Sequence, residues 1–283
     1  MIILKLEGGL GNQMFQYALG HNLSLIHNVQ LKIDSSYLKK DNQSKRTLKI
    51  DNLKTILEEA TNKEIYSYTS ILQKFLDKIR EKKKKIVEKS SIFDPDILSI
   101  SEGYFVGHWN SEKYFKANED KIRESFRLKN PLSVKAQAIA NAITSSQSTA
   151  SVHIRRGDYV SIKKIADTHG TLPISYYEEA MTKITDKFPN TDFFVFSDDI
   201  EWAKENLPKK YKLISVSTPD IQDYEELIIM SLCKNNIIAN STFSWWGAWL
   251  NNNPDKIVIT PQKWYTKENI TIDDLIPASW IKI

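Results

Sequence analysis

The sequence predicts an α/β protein built on parallel β-sheets, and three observations indicate this. Short apolar runs of strand length alternate along the chain with longer segments of helical period. Such alternation gives parallel sheets covered by helices on both faces. The chain of 283 residues suffices for about two domains. A polar stretch with a proline, Leu128-Lys129-Asn130-Pro131, is a candidate boundary. We therefore predict two α/β domains, residues 1–130 and 131–283.

Composition narrows the class of protein. The net charge of +4 is mild and does not favour nucleic acid as a partner. A single cysteine, Cys233, excludes an internal disulfide and a cysteine-rich metal site. No apolar window reaches the ~18 residues of a membrane helix, and the N-terminus reads as a strand and not as a signal peptide. We expect a cytoplasmic protein.

The N-terminal segment has the pattern of a nucleotide-binding unit. A buried strand at Ile2–Leu6 runs into a glycine-rich turn, Gly8–Gln13, which is followed by a helix from Met14 and a strand at Val29–Asp34. The glycines Gly9 and Gly11 indicate either that something approaches this backbone closely or that the chain only makes a tight turn here.

A dinucleotide site is one alternative for this unit. Gly9 and Gly11 open a G-x-G-x-x-G pattern, and Asp34 lies about 20 residues further on, where such folds place the acid that binds the ribose. Met14, however, occupies the third glycine position, where its side chain would hinder close packing of the helix on the strand. An NAD-dependent oxidoreductase stays a rival interpretation.

Residues 55–90 are helical in pattern and increasingly basic, with a run of positive charge at 78–85. This run predicts either a solvated helix face or peripheral contact with the inner face of a membrane. The D-x-D sequence Asp94-Pro95-Asp96 resembles a metal–nucleotide signature, but its Ser/Asp/Pro-rich surroundings favour a turn.

Aromatic residues follow the next predicted strand, Gly103–Trp109, where Ser111 can cap a helix. Three aromatic side chains could form either a platform for a sugar ring or part of the core: His108, Trp109 and Tyr114. Three tryptophans in a later helix raise the same question, and at least some of them should pack in the core: Trp245, Trp246 and Trp249. A non-catalytic carbohydrate-binding protein is the second rival interpretation.

The second half repeats the strand–helix alternation. The predicted helices lie at 134–144, 174–187, from 200 onward, at 222–233 and after 242, and the predicted strands lie at 150–154, 192–196, 212–216, 237–239 and 256–260. A loop through His169-Gly170 connects the first of these strands to the helix at 174–187.

Three of these strands end in polar residues that a parallel sheet would bring to one edge: His153–Asp158, Ser197–Asp199 and Asn240–Thr242. Arginine forks suit a diphosphate, and hydroxyls and N–H groups at a helix start suit its remaining oxygens. A carboxylate can accept the N–H groups of guanine. The alternatives are structural: Asp158 paired with Arg155 or Arg156, and the aspartates of 198–199 capping a helix. The sequence has neither a P-loop nor a zinc-binding pattern.

Taken together, four motifs resemble the successive motifs of the α-1,2-fucosyltransferases: residues 8–18, 153–159, 196–199 and 240–248. They occur in family order over nearly the whole chain. The resemblance implies a GT-B architecture, in which two Rossmann-like domains face a central cleft. It also implies transfer of L-fucose from GDP-β-L-fucose, with inversion, to the 2-hydroxyl of a terminal β-galactoside, without a cofactor or an obligatory metal. The family suggests a role in a bacterial surface glycan such as O-antigen or capsule.

The resemblance also implies roles for residues at the sheet edge. Arg155 would bind the β-phosphate with support from Arg156, and Asp198 or Asp199 would read guanine. The donor site would further include His153, Asn240, Ser241 and Thr242.

The glycine-rich motif would face the reacting centre from the opposite domain, through Gly9, Gly11, Asn12 and Gln13. The acceptor hydroxyl must lose a proton to a nearby base. Asp158 and His169 are the candidates, because both follow the arginines, but Asp158 is better explained as a residue that orients an arginine.

Overall fold

The computed structural model describes residues 1–39, 46–70, 84–266 and 270–283. These form two compact units, 1–129 with 271–275 and 130–270 with 276–283. We predicted a second domain that ran without interruption from 131 to 283. Residues 271–275 instead pack with the first unit, where the Asp274 carboxylate accepts a hydrogen bond from the backbone N–H of Phe93 at 2.7 Å.

The first unit contains a parallel sheet with the strand order β2-β1-β4-β3. Its strands are β1 (Ile2–Lys5), β2 (Leu31–Asp34), β3 (Lys85–Val87) and β4 (Gly103–Val106). Its helices are α1 (Leu10–His27), α2 (Ser36–Lys39), α3 (Asn62–Thr69) and α4 (Glu119–Ser125), with short 3-10 helices at Ile50–Asn52, Pro95–Ser99, Glu112–Tyr114 and Lys116–Asn118.

The second unit contains a parallel sheet with the order β10-β9-β8-β5-β6-β7. Its strands are β5 (Thr149–Ile154), β6 (Asp192–Ser197), β7 (Lys212–Ser215), β8 (Asn235–Ile237), β9 (Val258–Thr260) and β10 (Ile281–Lys282). Its helices are α5 (Val134–Ser145), α6 (Gly157–Ser161), α7 (Lys163–His169), α8 (Ile174–Lys187), α9 (Ile200–Asn206), α10 (Asp223–Leu232) and α11 (Thr242–Leu250).

Helix α1 begins earlier than predicted. The glycine-rich turn is confined to Gly8, which has a φ of +80°, and Gly9, which is the N-cap. The residues from Leu10 onward are already helical, so Gly11 and Gln13 belong to the first turns of the helix. The helix ends at Asn28 in the left-handed conformation, with φ of 50°.

The central strands of the second unit are buried on both faces, as predicted for a parallel sheet. Val152 and Val195 contribute to one apolar core, whereas Phe194 and Phe196 contribute to another. Helix α8 matches the predicted bounds and buries Ala180, Met181 and Ile184 against the first of these cores. The α/β prediction is confirmed.

The four tryptophans that the sequence offered for a sugar platform lie in the cores. Trp109, Trp245 and Trp246 are at most 2% exposed, and Trp249 is 3% exposed. The rings of Trp245 and Trp249 stack at a centroid distance of 6.2 Å. The interpretation as a carbohydrate-binding protein depended on open aromatic faces, so it loses its basis. Tyr114 is also buried, and of the predicted platform in the first unit only His108 is exposed.

Residues 55–90 are not the continuous helical stretch that we predicted. Helix α3 covers Asn62–Thr69, and strand β3 at Lys85–Val87 pairs with β4. Most of the basic run, 78–83, lies outside the described residues, so membrane contact through it stays a prediction. Among the described residues, no helix is both long and apolar enough to cross a membrane.

Candidate functional site

The carboxyl ends of β5, β6 and β8 bring the predicted polar residues to one edge of the second sheet. His153 is paired in register with Phe196 of β6, and Val152 with Ile237 of β8. Arg155 and Arg156 follow directly after the fully buried strand β5. The structure therefore brings together the arginines, the aspartates after β6 and the residues that open α11.

Arg155 is held between two carboxylates. One of its guanidinium nitrogens contacts Asp158 Oδ1 at 2.5 Å, and the other contacts Asp198 Oδ2 at 3.0 Å. Burial disfavours the charged guanidinium, but the charges of Asp198 and Asp158 outweigh it and raise the pKa of Arg155. The side chain is 21% exposed. Arg155 is thus a permanently charged fork in a fixed position, and it remains accessible to a ligand.

Asp158 helps to fix the guanidinium of Arg155, because its Oδ1 accepts a hydrogen bond from that group. Of the two interpretations that the sequence left open, the geometry favours the one in which Asp158 orients the arginine. We therefore withdraw Asp158 as a candidate for the base that takes the proton of the acceptor.

Arg156 is fixed through its backbone and its side chain. Its N–H donates to Asp198 Oδ1 at 2.8 Å, and its Nε pairs with Asp199 Oδ2 at 3.2 Å. Its guanidinium carbon lies 3.8 Å from the centroid of the Trp202 ring, a close cation–π contact. Asp199 also caps α9 by accepting from the N–H of Trp202 at 3.4 Å.

The acidic pair has a structural role in this arrangement. Both carboxylates are engaged with the arginines, and the assignment of Asp198 or Asp199 to guanine stays a prediction. Asp198 depends on Gly157, because a Cβ at residue 157 would lie only 2.5 Å from Asp198 Oδ2. The glycine of the R-R-G-D motif is therefore required for the close approach of a carboxylate to the arginines.

Asn240 also has a different role from the one predicted. Its side chain is 1% exposed, and its Nδ2 donates to the carbonyl oxygens of His169 at 2.9 Å, Trp264 at 3.1 Å and Gly170 at 3.2 Å. Asn240 therefore holds two loops in place and does not present its amide nitrogen to a ligand.

The start of α11 presents backbone donors at the same edge. Ser241 is the N-cap, but within the described residues its hydroxyl makes no capping hydrogen bond to the helix. The first N–H groups of a helix have no partners within that helix and carry partial positive charge. Ser241 and Thr242 thus lie where an anion would be stabilised, as predicted for a phosphate.

His153 is buried and neutral beside these groups. Burial and the positive charge of Arg155 lower its pKa to about 3. Its ring lies 5.5 Å from that of Phe243, and within the described residues its Nδ1 has no hydrogen-bond partner. A neutral imidazole can donate one hydrogen bond without adding charge.

The sequence analysis missed Glu226, which lies on α10. Burial, together with the negative charges of Asp223 and Asp198, raises its pKa to about 7, and a hydrogen bond with Ser217 opposes this shift. Ser217 in turn accepts from the N–H of Ser197 at the end of β6, at 2.9 Å. Glu226 precedes the buried Ile229, Met230 and Cys233 by three, four and seven residues. That spacing places it on the buried face of the helix and could have revealed it.

In the glycine-rich segment of the first unit, Gln13 does not have the role that was predicted for it. Gln13 is fully buried. Its Nε2 donates to the carbonyl oxygens of Gly8 at 3.0 Å and Thr47 at 2.8 Å, and its Oε1 accepts from the N–H of Lys49 at 3.0 Å. Gln13 therefore joins the start of α1 to the segment near 47–49 and does not face a reacting centre. Gly11 is also buried, whereas Gly9 and Asn12 are partly exposed.

Asp34 does not support the dinucleotide interpretation. Its Oδ2 accepts from the Tyr104 hydroxyl at 2.7 Å, and its Oδ1 accepts from the N–H of Ser36 at 2.9 Å. The residue is 4% exposed, so its carboxylate has a structural role and is not presented to a ribose.

Asp94 has the turn role that the sequence favoured. Its Oδ1 accepts from the N–H of Asp96 at 3.1 Å and caps a 3-10 helix. Among the described residues, no group of three or more His, Cys, Asp or Glu side chains could hold a metal ion.

Comparisons with known proteins agree with this fold. The family model of glycosyl transferase family 11 matches residues 1–283. An α-1,2-colitosyltransferase of Escherichia coli is 34% identical, covering 100% of this chain and 99% of the relative. The O-antigen biosynthesis glycosyltransferase WbnK of Escherichia coli is 30% identical, covering 98% of this chain and 99% of the relative.

A solved structure shares the fold. A mutant of Arabidopsis thaliana FUT1 in complex with GDP superposes with a TM-score of 0.51 at 12% identity, covering 94% of this chain and 71% of that chain. The two parallel α/β units thus have the fold of the GT-B class, as predicted. The chain belongs to glycosyl transferase family 11, which confirms the family resemblance.

Proposed function

We propose that this glycosyltransferase moves a 6-deoxy-L-sugar, L-fucose, from GDP-β-L-fucose to the 2-hydroxyl of a terminal β-galactoside, with inversion at the anomeric carbon. The observation that carries the proposal is the fixed, charged Arg155 beside the N-terminus of α11. A diphosphate bound there would receive both arginine and backbone N–H donors. The names of family relatives support an α-1,2 linkage and a role in O-antigen synthesis.

The reaction balances as a single displacement. The bond between the anomeric carbon and the phosphate oxygen breaks, and its electron pair leaves with GDP. The acceptor oxygen forms the new bond and gives its proton to a base. Negative charge develops on the leaving diphosphate, and Arg155 would stabilise it as a preorganised cation. We propose that this cation removes the need for an obligatory metal.

His169 is the remaining candidate for the base. It lies at the end of α7, and its backbone oxygen accepts a hydrogen bond from Asn240 at the edge of the second sheet. An imidazole has the proton affinity that such a step requires at neutral pH.

GDP-colitose is a second candidate donor, because a relative of 34% identity over the whole chain is named a colitosyltransferase. Colitose lacks the 3-hydroxyl of fucose and also carries a 6-methyl group.

The two donors can be distinguished by measuring GDP release from each, with and without lactose, in EDTA. Lactose-dependent release from GDP-fucose in EDTA is expected. Release only from GDP-colitose would change the donor, whereas release only after adding magnesium or manganese would contradict the metal-free reaction. An absence of GDP binding by calorimetry would overturn the proposal.

We further propose that Glu226 recognises guanine. It is a carboxyl near Asp198, and among the described residues it forms no ion pair with Arg155 or Arg156. The two N–H donors of guanine suit a carboxylate. Because its pKa is raised to about 7, it is protonated below that pH and ionised above it. The Kd of GDP should therefore fall as pH rises from 5.5 to 8.5. Glu226→Gln should flatten this dependence and weaken GDP binding about tenfold at pH 8.

Folding stability provides the control for this prediction. The pKa of Glu226 lies above the ordinary value of 4.5, so the folded protein binds the proton more tightly than the unfolded chain. The contribution of Glu226 to stability is greatest below pH 4.5 and is lost as pH rises through 7. The Tm of Glu226→Gln should exceed that of the wild type at pH 8 but not at pH 5. A variant with wild-type GDP affinity at pH 8 would show that Glu226 does not contact the base.

A further inference from the structure

An aromatic column extends from Arg155 along the edge of the second sheet. The guanidinium carbon of Arg155 lies 5.5 Å from the ring centroid of Tyr159. The ring of Tyr159 stacks on that of His169 at 4.9 Å, with the planes only 16° apart. The ring of His169 contacts that of Tyr265 at 5.2 Å. We refer to Tyr159, His169 and Tyr265 as the aromatic column.

The column is built from three separate segments that hydrogen bonds hold together. The Tyr159 hydroxyl donates to the backbone oxygen of Asn240 at 2.9 Å. The Asn240 side chain donates to His169 and Trp264, the residue before Tyr265. The N–H of Thr266 donates to the oxygen of Thr168 at 2.9 Å. Rings that are fixed by their neighbours in this way form a rigid surface.

The strand order places the column on one side of Arg155 and the proposed guanine site on the other. Arg155 follows β5, which lies between β8 and β6. Asp198 and Ser217, which adjoin Glu226, follow β6 and β7. Asn240 follows β8, and Tyr265 follows β9. A GDP-sugar with its base at Glu226 and its diphosphate at Arg155 would therefore extend its sugar toward the column.

We infer that the aromatic column is the wall that contacts the transferred sugar and selects a 6-deoxy sugar. This inference rests on the proposed function. The 6-methyl group of L-fucose can pack against ring carbons without losing a hydrogen bond. The corresponding hydroxyl of L-galactose would lose water there, and an unpaired buried hydroxyl is unfavourable. Discrimination of this kind is about 10- to 200-fold in known sites.

The test compares GDP-L-fucose with GDP-L-galactose, which differ only in this hydroxyl. The kcat/KM of each is measured by GDP release with lactose as acceptor. The wild type should prefer GDP-L-fucose by about 10- to 200-fold. Tyr265→Ser should lower this preference by about tenfold, because the hydroxyl gains space and water. Tyr265→Phe keeps the ring and should keep the preference, and GDP affinity by calorimetry should be unchanged in both variants.

The outcomes separate the column from the proposed function. The role of the aromatic column in sugar selection would be overturned if Tyr265→Ser kept the wild-type preference for GDP-L-fucose, or if the wild type used both donors equally. Either result would leave the proposed function intact. A wild type that does not bind GDP would overturn both. If Tyr265→Ser fails to fold by circular dichroism, Tyr159→Leu provides the same comparison from the other end of the column, with Tyr159→Phe as its control.

Discussion

Replacement of Arg155 by alanine is expected to lower kcat/KM about 100- to 1000-fold, the usual cost of removing one fixed group that stabilises developing charge. The physical reason is the position of the guanidinium, which Asp158 and Asp198 hold charged at the start of α6. The charge on the diphosphate grows as the sugar leaves, so the interaction strengthens in the transition state. The variant should therefore lose more in kcat than in the affinity for GDP.

Two further variants make this result specific. Arg155→Lys keeps the charge but replaces the planar fork by a point charge, so its activity should lie between those of alanine and the wild type. Arg127→Ala removes an exposed arginine of the first unit and should behave like the wild type. Steady-state GDP release gives kcat and kcat/KM, calorimetry gives the affinity for GDP, and circular dichroism checks the fold. An Arg155→Ala enzyme within about threefold of wild-type kcat/KM would contradict the assignment of Arg155 to the leaving group.

The regular elements with strong local patterns were predictable. Helix α8 has an amphipathic period, and its predicted bounds match Ile174–Lys187. Strands β3 and β10 were not predicted, because they are short and their residues are largely exposed or half-buried. Their strand character comes from hydrogen bonds to β4 and β9, which are contacts that a local pattern does not encode.

The arginines of the site were predictable, but their partners were not. Two arginines after an apolar strand indicate an anion site by their chemistry alone. Asp198 meets the backbone of Arg156 across 42 residues of sequence, so which carboxylate binds an arginine depends on the register of β5 and β6. An acid that pairs with an arginine and one that does not have the same sequence signature, so the ion pairs of Asp198 and Asp199 with the arginines could not be predicted from the sequence.

Gln13 illustrates the same limit in the first unit. An amide beside glycines has the composition of a binding loop, and the family resemblance implied that Gln13 faces the reacting centre. Its partners are the backbone groups of residues 8, 47, 49 and 50. Bonds of this kind form only after the chain has folded back, so a buried structural amide cannot be distinguished from a functional one by its neighbours in sequence.

Gly157→Ala is expected to lower kcat about 100-fold, the size of effect that a displacement of about 1 Å in a catalytic arrangement can produce. The added methyl would lie 2.5 Å from Asp198 Oδ2. Asp198 must then move, and it is the residue that contacts both Arg155 and the backbone of Arg156. The Tm should change little, because alanine is favoured over glycine in a helix by about 1 kcal/mol and this offsets local strain.

A double-mutant cycle tests whether this effect acts through Asp198. Asp198→Ala removes the carboxylate that the methyl would displace, so Gly157→Ala should cost little further activity in that background. Val160→Ala alters an exposed residue of the same helix and should leave kcat near that of the wild type. If the losses from Gly157→Ala and Asp198→Ala multiply, the glycine acts independently of Asp198. Its contribution would then have to come from the backbone at the start of α6 and not from the carboxylate that positions the arginines.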